Sequence, residues 1–348
     1  MILESDYIPR GLTPMTATES RLKESPELPA YEPLQDVHGK LTAWGDPAFE
    51  KLWRGWTTGF ARFHQDLEFE HFLVGTSTAV GALYTGTAEI GLFGREMRKL
   101  ERTSWKRVFS HQPVGFSIAT GAFDTFAKTV AVAVLVNSDN PVTSLTFQQL
   151  DAIYSSDRKQ GGSTPITTWG QLGLTGEWAD KPIKIYGLDP DTGTAQHFQI
   201  RVLQGGRWSP LAQLPPGAPT QMYAGSGGHA ADALVTALEQ DPYAIGLAGF
   251  RNRTAKIKAV ALSEYDGPFV EGTRETTATR AYPLSRSVYA FVREAEDTTW
   301  VPMVREFLRF ILSREGQEVV AQEGDYLPLP AGHVHQELTR LTDISSAT

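Results

Sequence analysis

Leu67-Glu68-Phe69-Glu70-His71-Phe72-Leu73-Val74 runs directly into Gly75-Thr76-Ser77-Thr78, and an apolar-rich segment from Ala79 to Thr85 follows. Alternation of apolar and polar side chains opens the stretch, which is the period of a half-buried strand. Gly and hydroxyl residues then interrupt it, and the residues after them suit a helix. Strand, short glycine-bearing turn and helix make up the unit of an α/β domain with a largely parallel sheet.

The same rhythm extends in both directions. Upstream, a short strand Gly39–Trp44 ends at Gly45-Asp46-Pro47, and Phe49, Leu52, Trp53, Trp56 and Phe60 recur at helical spacing. That aromatic stripe reads as core, since bulky apolar residues on one helix face normally bury. Downstream, Ala88–Phe93 is a strand that ends at Gly94-Arg95-Glu96. Later strands are expected at 129–136, 183–186, 244–248 and 282–292. Helices are expected from Thr146, from near Ala195, up to about Glu239, and over Val301–Ser313, the clearest amphipathic case.

Residues 1–36 are rich in Pro, Glu, Ser and Thr and read as an extended arm. The last dozen residues read as a frayed tail. The division that follows is 1–36 arm, 37–127 first lobe, 128–265 second lobe, 266–335 return to the first lobe, and 336–348 tail. A length of 348 residues supports two domains better than one.

Composition narrows the function classes. The net charge is −8, whereas nucleic-acid binders normally carry a basic excess. An acidic protein that takes up an anion must do so with local donors, against its own overall field. There is no cysteine, so disulfides, thiol catalysis and cysteine-ligated metals are excluded. No metal site and no cofactor are expected. No basic and apolar leader is visible at Met1–Asp6, and no apolar run reaches the length of a membrane span.

Three strand-to-helix turns carry small hydroxyl and Gly residues: Gly75-Thr76-Ser77-Thr78, Asp191-Thr192-Gly193-Thr194 and Gly225-Ser226-Gly227-Gly228. Helix N-termini present unpaired N–H groups and a partial positive charge, and Gly lets an anion approach closely. Ser and Thr add neutral donors. Each turn, taken singly, is also an ordinary N-cap.

From about Gly39 to Pro330 the chain resembles the periplasmic phosphate-binding proteins of ABC importers. The resemblance is carried by Gly75-Thr76-Ser77, Ile90-Gly91-Leu92, Arg95-Glu96-Met97, Asp191-Thr192-Gly193-Thr194, Ala244-Ile245-Gly246, Tyr282-Pro283-Leu284-Ser285-Arg286 and the run Phe307–Gln317. It implies a two-lobed α/β fold of the type 2 periplasmic-binding-protein class, each lobe a mixed sheet flanked by helices, with the ligand cleft between lobes. It further implies a non-catalytic, monomeric, periplasmic or extracellular protein that closes on inorganic phosphate or a similar oxyanion and delivers it to a membrane permease. Thr76 and Ser77, then Asp191, Thr192, Gly193 and Thr194, match ligand positions of that family. Gly45 and Asp46 stand where backbone contacts are usual.

Two positions depart from the family pattern. Leu188 stands where an Arg is common, and Gly94 where an Asp or Ser is common. Arg95 supplies the missing cation if it faces the cleft, and is a solvated charge otherwise. Arg286 is either a second ligand or part of an inter-lobe or surface salt bridge. Asp46 is a candidate acceptor for the proton of monohydrogen phosphate. Other readings stay open: a different anion or small ligand, a signalling or scaffold role, or a hydrolase using Asp46 as base with the hydroxyl loops as an oxyanion hole. His333 and His335 read as a surface pair, His229 as surface, and His197 as structural.

Overall fold

A computed structural model describes residues 27–218, 226–265, 267–293 and 302–346. In chain order the first part runs β1 (Gly39–Gly45), α1 (Glu50–Phe60), β2 (Leu67–Phe72), α2 (Thr76–Thr85), β3 (Ile90–Phe93), α3 (Lys99–Phe109) and β4 (Val114–Thr120). The middle part comprises β5 (Val132–Asn137), β6 (Ser144–Thr146), α4 (Phe147–Tyr154), β7 (Lys184–Ile185), α5 (Gly193–Arg201), α6 (Ser226–Gln240), β8 (Ala244–Gly249), β9 (Ile257–Ala259) and β10 (Ala261–Ser263). It closes with α7 (Arg274–Ala278), β11 (Ser287–Val292), α8 (Pro302–Ile311), α9 (Arg314–Glu323) and α10 (Ala331–Ser346).

Two sheets organise these elements, and each has its own core. One is five-stranded in the order β2-β1-β3-β11-β4, with β1 parallel to β2 and β3. The late strand β11 enters it antiparallel between β3 and β4, which ties the C-terminal part of the chain to the first lobe. The other sheet is four-stranded, β7-β8-β5-β9, accompanied by a parallel β6–β10 pair. Strands buried on both faces read as continuous apolar runs. That explains Val132–Val136, where each residue is fully buried.

Around the first sheet, α1 places Leu52, Trp53, Trp56 and Phe60 inward, against Phe307, Phe310 and Ile311 of α8. Burying each such side chain contributes roughly 1.5–3 kcal/mol. The indole of Trp56 donates to the Gly316 carbonyl at 2.9 Å, so its one polar group is satisfied in the core.

The chain passes between the sheets twice, through residues 121–131 and 264–286. The two passages are stitched together. Gly121 N donates to Arg286 O at 2.8 Å, and Val132 N to Leu284 O at 3.1 Å.

Two expectations are corrected. Within the arm, residues 1–26 lie outside the described residues, but the part that follows is no loose extension. Tyr31 is buried, and its hydroxyl donates to Glu306 at 2.8 Å and meets His64 Nε2 at 2.9 Å. An aromatic ring offers enough apolar area to dock a segment whose composition otherwise looks extended. At the other end, residues expected to fray form α10. Val334 and Leu341 are buried, and Glu337 accepts from Ser117 N at 3.3 Å. A spacing of seven residues keeps those two apolar side chains on one helix face.

Candidate functional site

Strand ends of the first sheet converge on one point with the start of α5 from the second. Helix α2 begins at Thr76, three residues earlier than its apolar pattern suggests. Its N-cap is Gly75, whose φ of 139° is a glycine conformation, and which makes no side-chain cap. Thr76 and Ser77 are therefore not capping residues. The Thr76 hydroxyl donates to Asp46 Oδ2 at 3.2 Å, and Ser77 Oγ accepts from Arg95 Nη2 at 3.3 Å.

The β1 exit loop turns its backbone inward. Gly45 O accepts from Gly75 N at 2.8 Å, and Asp46 N donates to Leu92 O at 3.0 Å. The backbone contacts expected of Gly45 and Asp46 are thus used within the lobe, and what the loop presents is the Asp46 side chain. Its Oδ1 accepts from Ala48 N at 2.9 Å.

Gly94 at the end of β3 is required by packing. A Cβ there would stand 2.5 Å from Thr129 Oγ1 and 3.4 Å from Asp46 Oδ2. The Asp46 carboxylate occupies the space toward which a side chain at 94 would extend.

Arg95 is neither a solvated charge nor a free one. It is buried, and both its terminal nitrogens reach Glu101, at 2.8 and 2.7 Å. Burial opposes ionisation of Glu101, yet the guanidinium beside it more than offsets this and holds the carboxyl below its usual range.

On the second sheet's side, Thr192 is a true N-cap of α5, accepting from Ala195 N at 3.1 Å. Gly193 and Thr194 form the first turn. Asp191 is exposed, and its carbonyl accepts from Arg98 across the gap between the lobes. Of the third turn, Gly225 lies outside the described residues, as does the side chain of His229. Leu188 packs against the second core.

Arg286 joins the two sides. Its Nη2 donates to Gly94 O at 3.0 Å and to Gly193 O at 3.3 Å. The side chain is buried, and among the described residues it makes no carboxylate pair within 4 Å. Its Nε is buried without a hydrogen-bond partner. Burial pushes its proton affinity down from the ordinary value. So Arg286 bridges the lobes, through carbonyls rather than as a salt bridge.

Three participants were missed by sequence reasoning. Glu96, next to Arg95, meets His197 Nδ1 of α5 at 3.1 Å and accepts from Tyr289 OH at 3.3 Å. Burial opposes its charge, but His197 and Arg286 beside it hold the carboxyl down at about 2. Tyr326 brings a buried hydroxyl beside Thr129, and burial together with the Asp46 charge raises its pKa. The only signals in the sequence were Glu96 following a strand end and His197 opening a helix, and neither announces a partner.

A surface recess of about 570 Å³, lined by Asp124, Phe250, Arg251, Arg253 and Lys258 among others, lies apart from these groups. Among the described residues there is no cluster of three or more metal-ligating side chains, and no helix is long and apolar enough to cross a membrane.

Comparison with known proteins agrees with this architecture. A family model described as a PBP superfamily domain matches residues 30–315. The phosphate-binding protein PstS of Pseudomonas aeruginosa is 33% identical over 307 residues, spanning 88% of this chain and 88% of that protein. Protein SphX of Synechococcus elongatus is 24% identical, spanning 92% and 85%. Among solved structures, PstS from Borrelia burgdorferi superposes with a TM-score of 0.54 at 15% identity, covering 84% of this chain and 99% of that one. An ABC-type phosphate transport receptor from Vibrio cholerae gives a TM-score of 0.50 at 19% identity, covering 82% and 99%.

Proposed function

The chain belongs to the PBP superfamily, among the PstS-like proteins, and from that premise we propose that it captures inorganic phosphate between its lobes without transforming it. The observation that carries the reading is Arg286, a buried cation that makes no direct carboxylate ion pair among the described residues and is hydrogen-bonded to the Gly94 and Gly193 loops at once, with Glu96 and Asp46 nearby supporting its charge. A buried guanidinium whose donors are not taken up by a carboxylate is suited to an anion.

Both departures from the family pattern then have stand-ins. Arg286 reaches the Thr192-Gly193-Thr194 turn in place of the cation that Leu188 does not supply. Asp46 stands beside the Gly94 position in place of the acidic residue usual there. A carboxylate near an anion repels it unless the anion brings a proton to share. Monohydrogen phosphate carries that proton and sulfate at neutral pH does not. Asp46 therefore favours phosphate.

In this reading Ser77, Gly193 and Thr194 supply neutral donors, Thr76 orients Asp46, Thr192 holds the α5 turn by donating to Asp189 O, and Arg95 braces Ser77. Gly45 and Asp191 position these donors, Gly45 O by accepting from Gly75 N and Asp191 O by accepting from Arg98. The lobes are residues 37–127 with 266–335, and residues 128–265, moving about the paired crossings by the hinge closure open to this architecture. The partner is a membrane permease of an importer, met outside the cytoplasmic membrane by the protein as a monomer. Asp46 acts as acceptor rather than general base, and catalysis is not part of the reading.

Calorimetry of the exhaustively dialysed protein against phosphate, arsenate, sulfate, molybdate and a phosphonate tests it. Micromolar or tighter binding of phosphate and arsenate, with sulfate at least a hundredfold weaker, is expected (roughly 3 kcal/mol). Asp46→Asn narrows that gap. Preference for sulfate or molybdate, or turnover of a phosphoester, overturns the assignment.

A further inference from the structure

The densest contact between the lobes does not involve the anion donors. It joins the β3–α3 loop to the start of α5. Glu96 Oε1 meets His197 Nδ1 at 3.1 Å, Glu96 O accepts from Gln196 Nε2 at 3.0 Å, and Arg98 donates to Asp191 O. The Glu96 and His197 side chains are 15% and 5% exposed. Glu96 follows β3 of the first sheet and His197 lies in α5 beside the second, so the contact that covers them is made where the lobes meet.

We propose that Glu96 and His197 form a latch, made only when the lobes close, whose strength sets the closed fraction and thereby the affinity for the anion. The inference rests on the reading of this protein as a closing binder. A binder that is closed only part of the time shows an apparent dissociation constant raised by the inverse of its closed fraction. A contact present in one state alone shifts that fraction by its own free energy. The latch is only half satisfied, since Glu96 Oε2 and His197 Nε2 are buried with no partner. That keeps closure reversible, because each unmade hydrogen bond opposes the one that is made.

Acidity adjusts the latch. The charged and titratable groups around His197 are Glu96 and Tyr289 on the first-lobe side, Arg286 on the crossing segment and Arg201 on its own helix. Burial outweighs the attraction of Glu96 and lowers the affinity of His197 for a proton. An imidazole freed by opening returns to its ordinary value near 6.5. Its closed-state pKa is thus the lower of the two. Closure is fully supported above the open-state value near 6.5 and loses support as the pH falls from there toward the lower closed-state value.

Small-angle scattering of the anion-free protein, paired with phosphate calorimetry, tests the latch on wild type, His197→Ala and His197→Gln. Gln keeps a donor for Glu96 but does not titrate. Expected for His197→Ala is a larger radius of gyration without anion, and phosphate affinity weaker by on the order of tenfold. Expected for His197→Gln is near-wild-type compactness at pH 7.5, without the expansion that wild type shows at pH 5.5. Far-UV circular dichroism checks that each variant is folded. Equal radius and equal affinity in wild type and His197→Ala overturn the latch. Absence of phosphate binding in wild type overturns only the ligand assignment, because the anion-free shapes still report on the latch.

Discussion

Arg95 and Glu101 form a two-pronged ion pair, 2.8 and 2.7 Å from guanidinium to carboxylate, inside the wall where the proposed anion donors converge. The pair settles the charge balance of the site. Arg95 is the basic residue that the sequence puts forward, yet its charge is already met. Arg286 is a buried cation that, among the described residues, makes no direct carboxylate ion pair.

The two arginines should therefore separate in their effects. Arg286→Ala is expected to weaken phosphate binding by roughly ten- to a hundredfold, the range of hydrogen bonds to charged groups. Arg95→Ala leaves Glu101 buried and unpaired, so its main expression is a lower melting temperature with a smaller loss of affinity. Calorimetry and thermal denaturation on the same preparations distinguish them. A larger affinity loss in Arg95→Ala would falsify the assignment of charge to Arg286.

Gly94 offers a test of packing against family pattern. Restoring a side chain with Gly94→Ala drives a Cβ to 2.5 Å from Thr129 Oγ1. The expected cost is about 1–3 kcal/mol, read as a lower urea midpoint at unchanged slope. Adding Thr129→Ala removes the obstructing oxygen, so the pair of substitutions should cost less than the sum of the two alone.

Tyr31 anchors the segment ahead of β1. Tyr31→Phe keeps the ring but leaves Glu306 Oε2 without its 2.8 Å donor. That oxygen keeps Arg309 Nη1 at 3.2 Å and Leu34 N at 3.4 Å, so the expected cost is that of one hydrogen bond, about 1 kcal/mol, visible in equilibrium unfolding. Phosphate affinity should not move, since Tyr31 packs on the face of the first sheet occupied by α1 and α8.

His333 on α10 supplies a pH test of stability. Burial, with Arg280 nearby, lowers its pKa to about 4 from an ordinary 6.5. The folded value is the depressed one, so the unfolded chain binds the extra proton first. Stability from this group is complete above about 6.5 and is lost as the pH falls toward 4. His333→Gln should shrink the loss of melting temperature between pH 7 and pH 4.5. An unchanged acid limb would show that other groups govern it.

Much of this protein was legible in its residues. Periodicity located most of the sheet and helix elements, the apolar run at Thr129–Val136 identified a strand, and the stripe Phe49–Phe60 identified core. Such patterns are local, repeating every two or 3.6 residues, so the chain carries them without reference to its fold. The site was legible only in part. Thr76, Ser77 and the Thr192–Thr194 turn stood out because strand-to-helix turns carry their own chemistry. That Arg95 is neutralised, that Asp46 stands beside Gly94, and that Glu96 meets His197 depended on residues 6, 48 and 101 positions apart. Whether a charge is free or paired is decided by whatever the fold brings within a few ångströms of it. Sequence determined which elements form; the packing of those elements, within and between the lobes, decided which charges are already met.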